Sequence, residues 1–219
     1  TGYITSVLIP LVSGGSSHFM EVWDPVEAIE RINKYGCTTA VTATPFLQML
    51  LDAYDSDVHD ISSLRLWVAA GSPIPPAIVE RSRIAVPGLE VLSLYGRSEN
   101  FVTTMCNTGD DQVLTTTSDG CAPEGVEIAA VDLDGNEVTP GDEGDLAYKG
   151  PGHMIEYFRQ PELNSELYTE TGFSRSGDLG TINDAGYLRV TGRLKDIIIR
   201  GGMNISANEI ENLILAHPS

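Results

Sequence analysis

Hydrophobic positions change their period along the chain, and each period predicts an element. After Trp23-Asp24-Pro25, residues Ala28, Ile29, Ile32 and Tyr35 recur at helical spacing. Asp24 suits an N-cap, Pro25 a first helical turn and Gly36 a stop. Residues 38–42 are β-branched or small and read as a strand. Thr44-Pro45 then opens a second helix through Phe46, Leu47, Leu50 and Leu51. Residues 64–70 form an apolar strand broken by Gly71-Ser72-Pro73. Pro75-Pro76 opens a helix reaching about Ile84, and residues 89–94 form a strand ending at Tyr95-Gly96. Strands alternating with helices predict an α/β fold, a mostly parallel sheet with flanking helices on both faces.

Near residue 112 the pattern changes. No helical period is sustained over residues 112–150. Residues 126–133 and Glu137-Val138 flank Asp134-Gly135-Asn136, a strong turn signal, and residues 144–149 read as a further strand. Asn183-Asp184-Ala185-Gly186 punctuates another hairpin before Tyr187-Leu188-Arg189-Val190. Antiparallel β structure, barrel-like in arrangement, is expected here. A third piece follows Gly192-Arg193: a strand at 196–199, a turn at Gly201-Gly202 and a helix over 206–215. The expected organisation is therefore 1–111 (α/β), 112–191 (β-rich) and 192–219 (a short α+β start).

Composition narrows the function classes. The 219 residues are 42% hydrophobic and carry a formal charge of −18, so a sizeable core forms under a surface that repels phosphate backbones. Nucleic acids and anionic membrane surfaces are unfavourable partners. The charge is uneven: residues 99–170 hold sixteen acids and two bases, whereas five of the thirteen bases fall within 175–200. The acidic stretch reads first as a solvated surface; the basic cluster is where an acidic protein would meet an anion. Cys37, Cys106 and Cys121 are widely spaced with no C-x-x-C pair, so neither zinc nor a disulfide framework is expected, and a cytoplasmic setting fits. Residues 3–12 are apolar but lack a basic flank and contain Pro10, unlike a signal peptide, and no run reaches the length of a membrane helix.

Candidate chemistry sits at strand ends, where open α/β sheets bind ligands. Ala70-Gly71-Ser72-Pro73 is one, and its glycine lets a ligand approach the backbone. Leu94-Tyr95-Gly96-Arg97-Ser98-Glu99 is the other, combining an aromatic face, a hydroxyl and a carboxylate suited to phosphate and Mg²⁺. In Ser176-Gly177-Asp178-Leu179 a carboxylate after a Gly turn suits a ribose diol, or bonds its own backbone. The bases of Gly192-Arg193-Leu194-Lys195-Asp196 are equally consistent with phosphate contact and with solvation, and Gly201-Gly202 with a tight turn or a flexible loop.

In this order the segments resemble the adenylate-forming (AMP-binding) superfamily, in particular its acyl-CoA synthetase branch. Tyr95-Gly96-Arg97-Ser98-Glu99 is similar to the family's Y-G-x-T-E, with Ser for Thr. Gly144-Asp145-Leu146-Ala147-Tyr148-Lys149-Gly150-Pro151 is similar to G-x-L-x-x-x-G-P, and Ser176-Gly177-Asp178-Leu179 to T-G-D-L. The run from Gly192 to Gly202, followed by Glu209-Ile210-Glu211, resembles the family's hinge motif, and Gly71-Ser72-Pro73 its adenine-flanking Gly-Ala-Pro turn. The resemblance implies ATP, AMP, Mg²⁺ and coenzyme A as ligands and a small carboxylic acid as substrate. It implies that Tyr95 stacks on adenine against Gly71, Ser72 and Pro73, with Leu94 and Gly96 beside it. Glu99 would hold Mg²⁺, Ser98 contact phosphate, Asp178 accept the ribose hydroxyls and Arg193 contact ribose or phosphate. Lys195 would be the hinge, Gly201 and Gly202 would line the thiol's tunnel, and Thr44, Phe46, Gly71 and Leu94 would border the acyl group. These last are small or apolar, which favours a medium, cyclic or aromatic carboxylate, in fatty acid or aromatic acid metabolism.

The family's Ser/Thr/Gly-rich phosphate loop, ending in Lys-Gly, is expected before residue 1, and the catalytic Lys of its small C-terminal domain after Ser219. The expectation is a fragment from the middle of a ligase, unable to make acyl-AMP alone. Two alternatives stand: an adenylation domain that loads a carrier protein, and a non-catalytic adenine-nucleotide binding module.

Overall fold

The computed structural model describes residues 2–200 and 203–206. The chain divides into two compact units, residues 1–120 and 121–219.

In the first unit a π-helical turn, Ile4–Leu8, runs into helix α1 (Ile9–Ser13). Ile4, Val7, Leu8, Leu11 and Val12 recur at helical spacing, a period blurred by Ile9 and Pro10 between them. Helix α2 (Pro25–Tyr35) starts and stops where its capping residues predict. Asp24 accepts the Glu27 N–H at 2.9 Å, and Gly36 closes the helix at φ +63°. Strand β1 (Thr39–Ala43), helix α3 (Thr44–Ala53), strand β2 (Leu66–Ala70), helix α4 (Pro76–Ala85) and strand β3 (Glu90–Tyr95) then alternate. β1, β2 and β3 are parallel neighbours, and the short β4 (Thr104–Met105) pairs antiparallel with β3.

The period of two splits each strand between two clusters. Trp67 and Ala69 join Ile29 and Ile32 of α2, Leu47, Leu50 and Leu51 of α3, and Ile78 and Val79 of α4. Val68 faces the other way, with Leu92, Leu94 and Cys106. Leu47 and Leu50 are fully buried, each contributing about 1.5–3 kcal/mol of transfer free energy. One helix within 112–150 escaped the hydrophobic period. Helix α5 (Gln112–Thr117) is held instead by Asp111, whose carboxylate caps the Val113 N–H at 2.9 Å. Its Thr116 and Thr117 hydroxyls bond back to the Val113 carbonyl.

The second unit is an antiparallel sheet of β5 (Glu127–Val131), β6 (Gly144–Lys149), β7 (Ser174–Ile182) and β8 (Leu188–Arg193), in that order. Short helix α6 (Pro161–Ser165) lies between β6 and β7. Both predicted hairpin turns form and share one device. Asp132 Oδ1 accepts the N–H groups of Asp134 and Asn136, and Asn183 Oδ1 those of Ala185 and Tyr187. After β8 a 3₁₀ turn, Leu194–Asp196, leads to the antiparallel pair β9 (Ile197–Arg200) and β10 (Met203–Ser206). Gly201-Gly202 and the helix expected over 206–215 fall, apart from Ser206, outside the described residues. Among the described residues no helix is long and apolar enough to cross a membrane.

Candidate active site

The three parallel strands end at one level. Ala43, Ala70 and Leu94 are matched across β1, β2 and β3, so Thr44, Gly71 and Tyr95 follow one another along one edge of the sheet. Three segments that sequence reasoning picked separately are thus brought together. The Thr44 hydroxyl donates to the Ser72 carbonyl at 3.3 Å and accepts from the Ser72 hydroxyl at 3.2 Å. Two hydroxyls therefore tie the end of β1 to the turn after β2. Gly71 adopts φ +86° with nothing within 4 Å of a Cβ position, so the turn needs glycine for its backbone and leaves the space above it open. Pro73 ends this turn ahead of α4. Leu94 is buried in the sheet. Phe46 turns into the core, edge-on to Trp23 with ring centroids 4.9 Å apart.

The loop after Tyr95 is a clasp. A Cβ on Gly96 would lie 1.9 Å from the Phe101 carbonyl oxygen, so the backbone of Phe101 closes directly over this glycine. Phe101 itself sits at φ +48°, its N–H donating to the Arg97 carbonyl at 2.6 Å. The Thr103 N–H donates to the Tyr95 carbonyl at 2.9 Å, and the Thr103 hydroxyl to Asn100 Oδ1 at 3.1 Å. Ser98 is exposed on the clasp. The Glu99 carboxylate, 19% exposed, lies 3.5 Å from the Arg97 guanidinium. Asp119 joins the strands below: Ser93 of β3 donates to its carboxylate at 3.3 Å, and Thr104 of β4 to its carbonyl at 2.6 Å.

In the second unit, Asp178 is placed by a bulge rather than by the turn the sequence predicted. Asp145 pairs with Leu179 and Ala147 with Arg175. Leu146 alone therefore faces Ser176, Gly177 and Asp178. Gly177 takes φ +71°. Its N–H, deprived of a ladder partner, donates to Asp145 Oδ1 at 2.8 Å. The Asp178 N–H donates to the Ser176 hydroxyl at 2.9 Å, a bond that Ser in place of Thr preserves. Asp178 is 8% exposed, and Arg193, its register partner on β8, reaches its carboxylate at 3.0 Å. Lys195 is exposed in the 3₁₀ turn. Gly201 and Gly202 lie outside the described residues.

Sequence reasoning passed over Asp145, the Arg97–Glu99 pair and the Asn100–Thr103 and Asp119 bonds. Only Asp145 left a trace: an acid inside the strand Gly144–Lys149, whose first five residues are all buried.

The chemistry on offer is oxygen-rich. The first unit presents hydroxyls, an open glycine turn, an aromatic residue and a shielded carboxylate; the second presents a carboxylate and guanidinium held together. Comparison with known proteins agrees with this composition. The chain is 36% identical to the medium-chain fatty-acid–CoA ligase of Escherichia coli over 218 residues, 100% of this chain and 38% of that protein. It is 32% identical to the fatty acid–[acyl-carrier-protein] ligase ScoC of Streptomyces coeruleorubidus, over 88% of this chain and 37% of that one. O-succinylbenzoate coenzyme A synthetase from Bacillus subtilis, solved in complex with ATP and magnesium ion, superposes with a TM-score of 0.87 at 25% identity, over 98% of this chain and 44% of that one. The chain thus spans about two fifths of the length of these relatives. Residues 1–158, which include the strand-end edge and the clasp, match the family described as AMP-binding enzyme, and the chain belongs to that family.

Proposed function

We propose that the protein carrying this chain is an AMP-forming acyl-CoA synthetase. A carboxylate attacks the α-phosphate of ATP to give acyl-AMP and pyrophosphate. The thiol of coenzyme A then attacks the acyl carbonyl and releases AMP. The observation that carries this proposal is the shared strand-end edge of Thr44, Gly71 and Tyr95 with the Glu99 clasp beside it. Tyr95 offers a ring for adenine and the Gly71–Pro73 backbone an open floor. Asp178 accepts the ribose hydroxyls, Arg193 holds that carboxylate in place and adds positive charge, and Ser98 donates to phosphate. The first step joins two anions, so positioning and charge supply most of its acceleration.

The residues fit Mg²⁺. Glu99, a hard carboxylate in a backbone-fixed loop with the Ser98 hydroxyl next to it, would hold the ion, its carboxylate turning from the Arg97 guanidinium 3.5 Å away. Mg²⁺ bound there would offset phosphate charge. The acyl substrate is read as a medium-chain, cyclic or aromatic carboxylate, in keeping with the name of the Escherichia coli relative. The thiol state of Cys37, Cys106 and Cys121 supports a cytoplasmic setting. The match to an acyl-carrier-protein ligase supports a second reading, in which a carrier's thiol replaces coenzyme A.

The test uses the full-length protein with ATP, Mg²⁺ and a panel of carboxylates, following pyrophosphate release. Coenzyme A and a phosphopantetheinyl carrier protein are then offered as acceptors. Pyrophosphate release with coenzyme A thioester formation is the expected result. Carrier loading without it selects the second reading, and no carboxylate-dependent pyrophosphate release overturns both. Glu99→Gln keeps the shape and loses the charge, so adenylation is expected to fall by at least tenfold with little change in melting temperature.

A further inference from the structure

Beyond the residues assigned above, we infer that Asp145 is a positioning residue for nucleotide recognition: it templates the Ser176-Gly177-Asp178 bulge and so sets the preference for ribose over 2′-deoxyribose. This rests on the ribose reading of Asp178.

The geometry is specific. A bulge of three residues against one strands backbone N–H groups that a regular ladder would satisfy. Here side chains satisfy two of them. Asp145 Oδ1 takes the Gly177 N–H at 2.8 Å, and the Ser176 hydroxyl takes that of Asp178 at 2.9 Å. Asp145 is 5% exposed, so its bond forms out of competition with water. Its other oxygen, Oδ2, accepts Arg175 Nε at 2.8 Å. Arg175 also donates to the carbonyls of Leu133 at 3.2 Å and Asp132 at 3.4 Å. The carboxylate therefore has one oxygen anchored to the β5 hairpin and the other aimed at the bulge. Moving Gly177 moves the next residue, Asp178, whose carboxylate must meet the diol.

The two oxygens make separable predictions. Asp145→Asn retains an Oδ1 acceptor for Gly177 but replaces the acceptor for Arg175 with an amide donor, so that bond alone is lost. Arg175→Met removes the ion pair but leaves Asp145 in place. Asp145→Ala removes both.

The experiment measures dissociation constants of ATP and 2′-deoxy-ATP for the full-length protein by calorimetry, with a melting curve for each variant. Asp178→Ala must first abolish the ratio of the two constants; if the ratio survives, the ribose reading fails and this proposal with it. Given that result, Asp145→Ala is expected to collapse the ratio by roughly tenfold, the scale of a lost hydrogen bond to a charged group. Asp145→Asn and Arg175→Met are expected to keep it within about twofold, whatever they do to the melting temperature. An Asp145→Ala protein that folds and still discriminates overturns the proposal, as does an Asp145→Asn protein that loses discrimination as fully as Asp145→Ala. Should Asp145→Ala not fold, Asp145→Glu decides, because it keeps the charge for Arg175 and displaces the acceptor by one methylene. Loss of the ratio there supports templating, and an unchanged ratio overturns it.

Discussion

Asp132 and Asn183 perform one task with different chemistry. Each side chain accepts two N–H groups from the turn that follows it, but only the aspartate titrates. The Asn136 N–H, above all, and then the Asn136 side chain and the Asp134 N–H hold the Asp132 carboxyl below the usual carboxylate range. A folded-state pKa below the unfolded value means stabilisation present above the unfolded pKa and lost as pH falls through the folded one. The turn between β5 and β6 is therefore expected to loosen in acid below about pH 4, while the β7–β8 turn does not. Amide exchange at Asn136 and Tyr187, followed from pH 5 to pH 2 and corrected for intrinsic rates, checks this. Equal protection losses at both would refute it, and Asp132→Asn should make the two turns behave alike. Both turns were legible in the sequence, because Asp-x-Asp-Gly-Asn and Asn-Asp-Ala-Gly are local instructions. Asp145 was not, because its partner Gly177 lies 32 residues on and no local pattern encodes it.

Two glycines at strand ends answer to different constraints. At Gly71 a side chain has room but the φ of +86° is wrong for it. At Gly96 the Phe101 carbonyl already fills the Cβ position. Gly71→Ala is expected to cost about 1–2 kcal/mol through left-handed backbone strain. Gly96→Ala must push open the clasp, with a cost of about 1–3 kcal/mol or more and weakened nucleotide binding in addition. Melting curves and ATP titrations of the two variants separate these cases, and identical effects on ATP affinity would contradict the clasp. Elements were readable wherever a cap or a period marked them. Helix α2 begins and ends on the residues its sequence nominates, and β1, β2 and β3 stand within two residues of their expected bounds. Helix α5 and the turns of Ile4–Ser13 were not, the first being held by side chain to backbone bonds and the second having its helical spacing blurred by Ile9 and Pro10. The Ser176–Asp178 bulge mimics a turn in sequence, since both need a glycine at positive φ.

For the molecule as a whole, an exposed 3₁₀ turn joins β8 to β9. We propose that Lys195 within it is the pivot about which the chain beyond it reorients between half-reactions. Proline fixes φ near −65° and removes an N–H, so Lys195→Pro should trap one arrangement. In the full-length protein one half-reaction is expected to survive while the other falls by two orders of magnitude or more, on the scale of a misplaced catalytic constellation. Pyrophosphate exchange and thioester formation from supplied acyl-AMP measure the two separately. Parallel losses at an unchanged melting temperature would falsify the pivot. What the sequence made legible at this scale was the order of motifs, from Gly71 through Glu99 and Asp178 to Lys195. That the segments of Thr44, Gly71 and Tyr95 share one level of a sheet is a matter of strand register, visible only once Ala43, Ala70 and Leu94 are aligned.

The bulge in β7 also sets how this region tolerates insertions and deletions. Residues 176–178 are a counted excess of backbone against Leu146. Removing one of them would pull Gly180 out of the place where its missing Cβ clears the Arg189 carbonyl, 2.4 Å away, and would rotate Asp178 to the opposite face of the sheet. Residues 132–136 and 183–187, at hairpin tips, can lengthen without shifting any strand. In a library of length variants, surviving members should cluster at those tips and be absent between Arg175 and Gly180, a footprint of register rather than of chemistry.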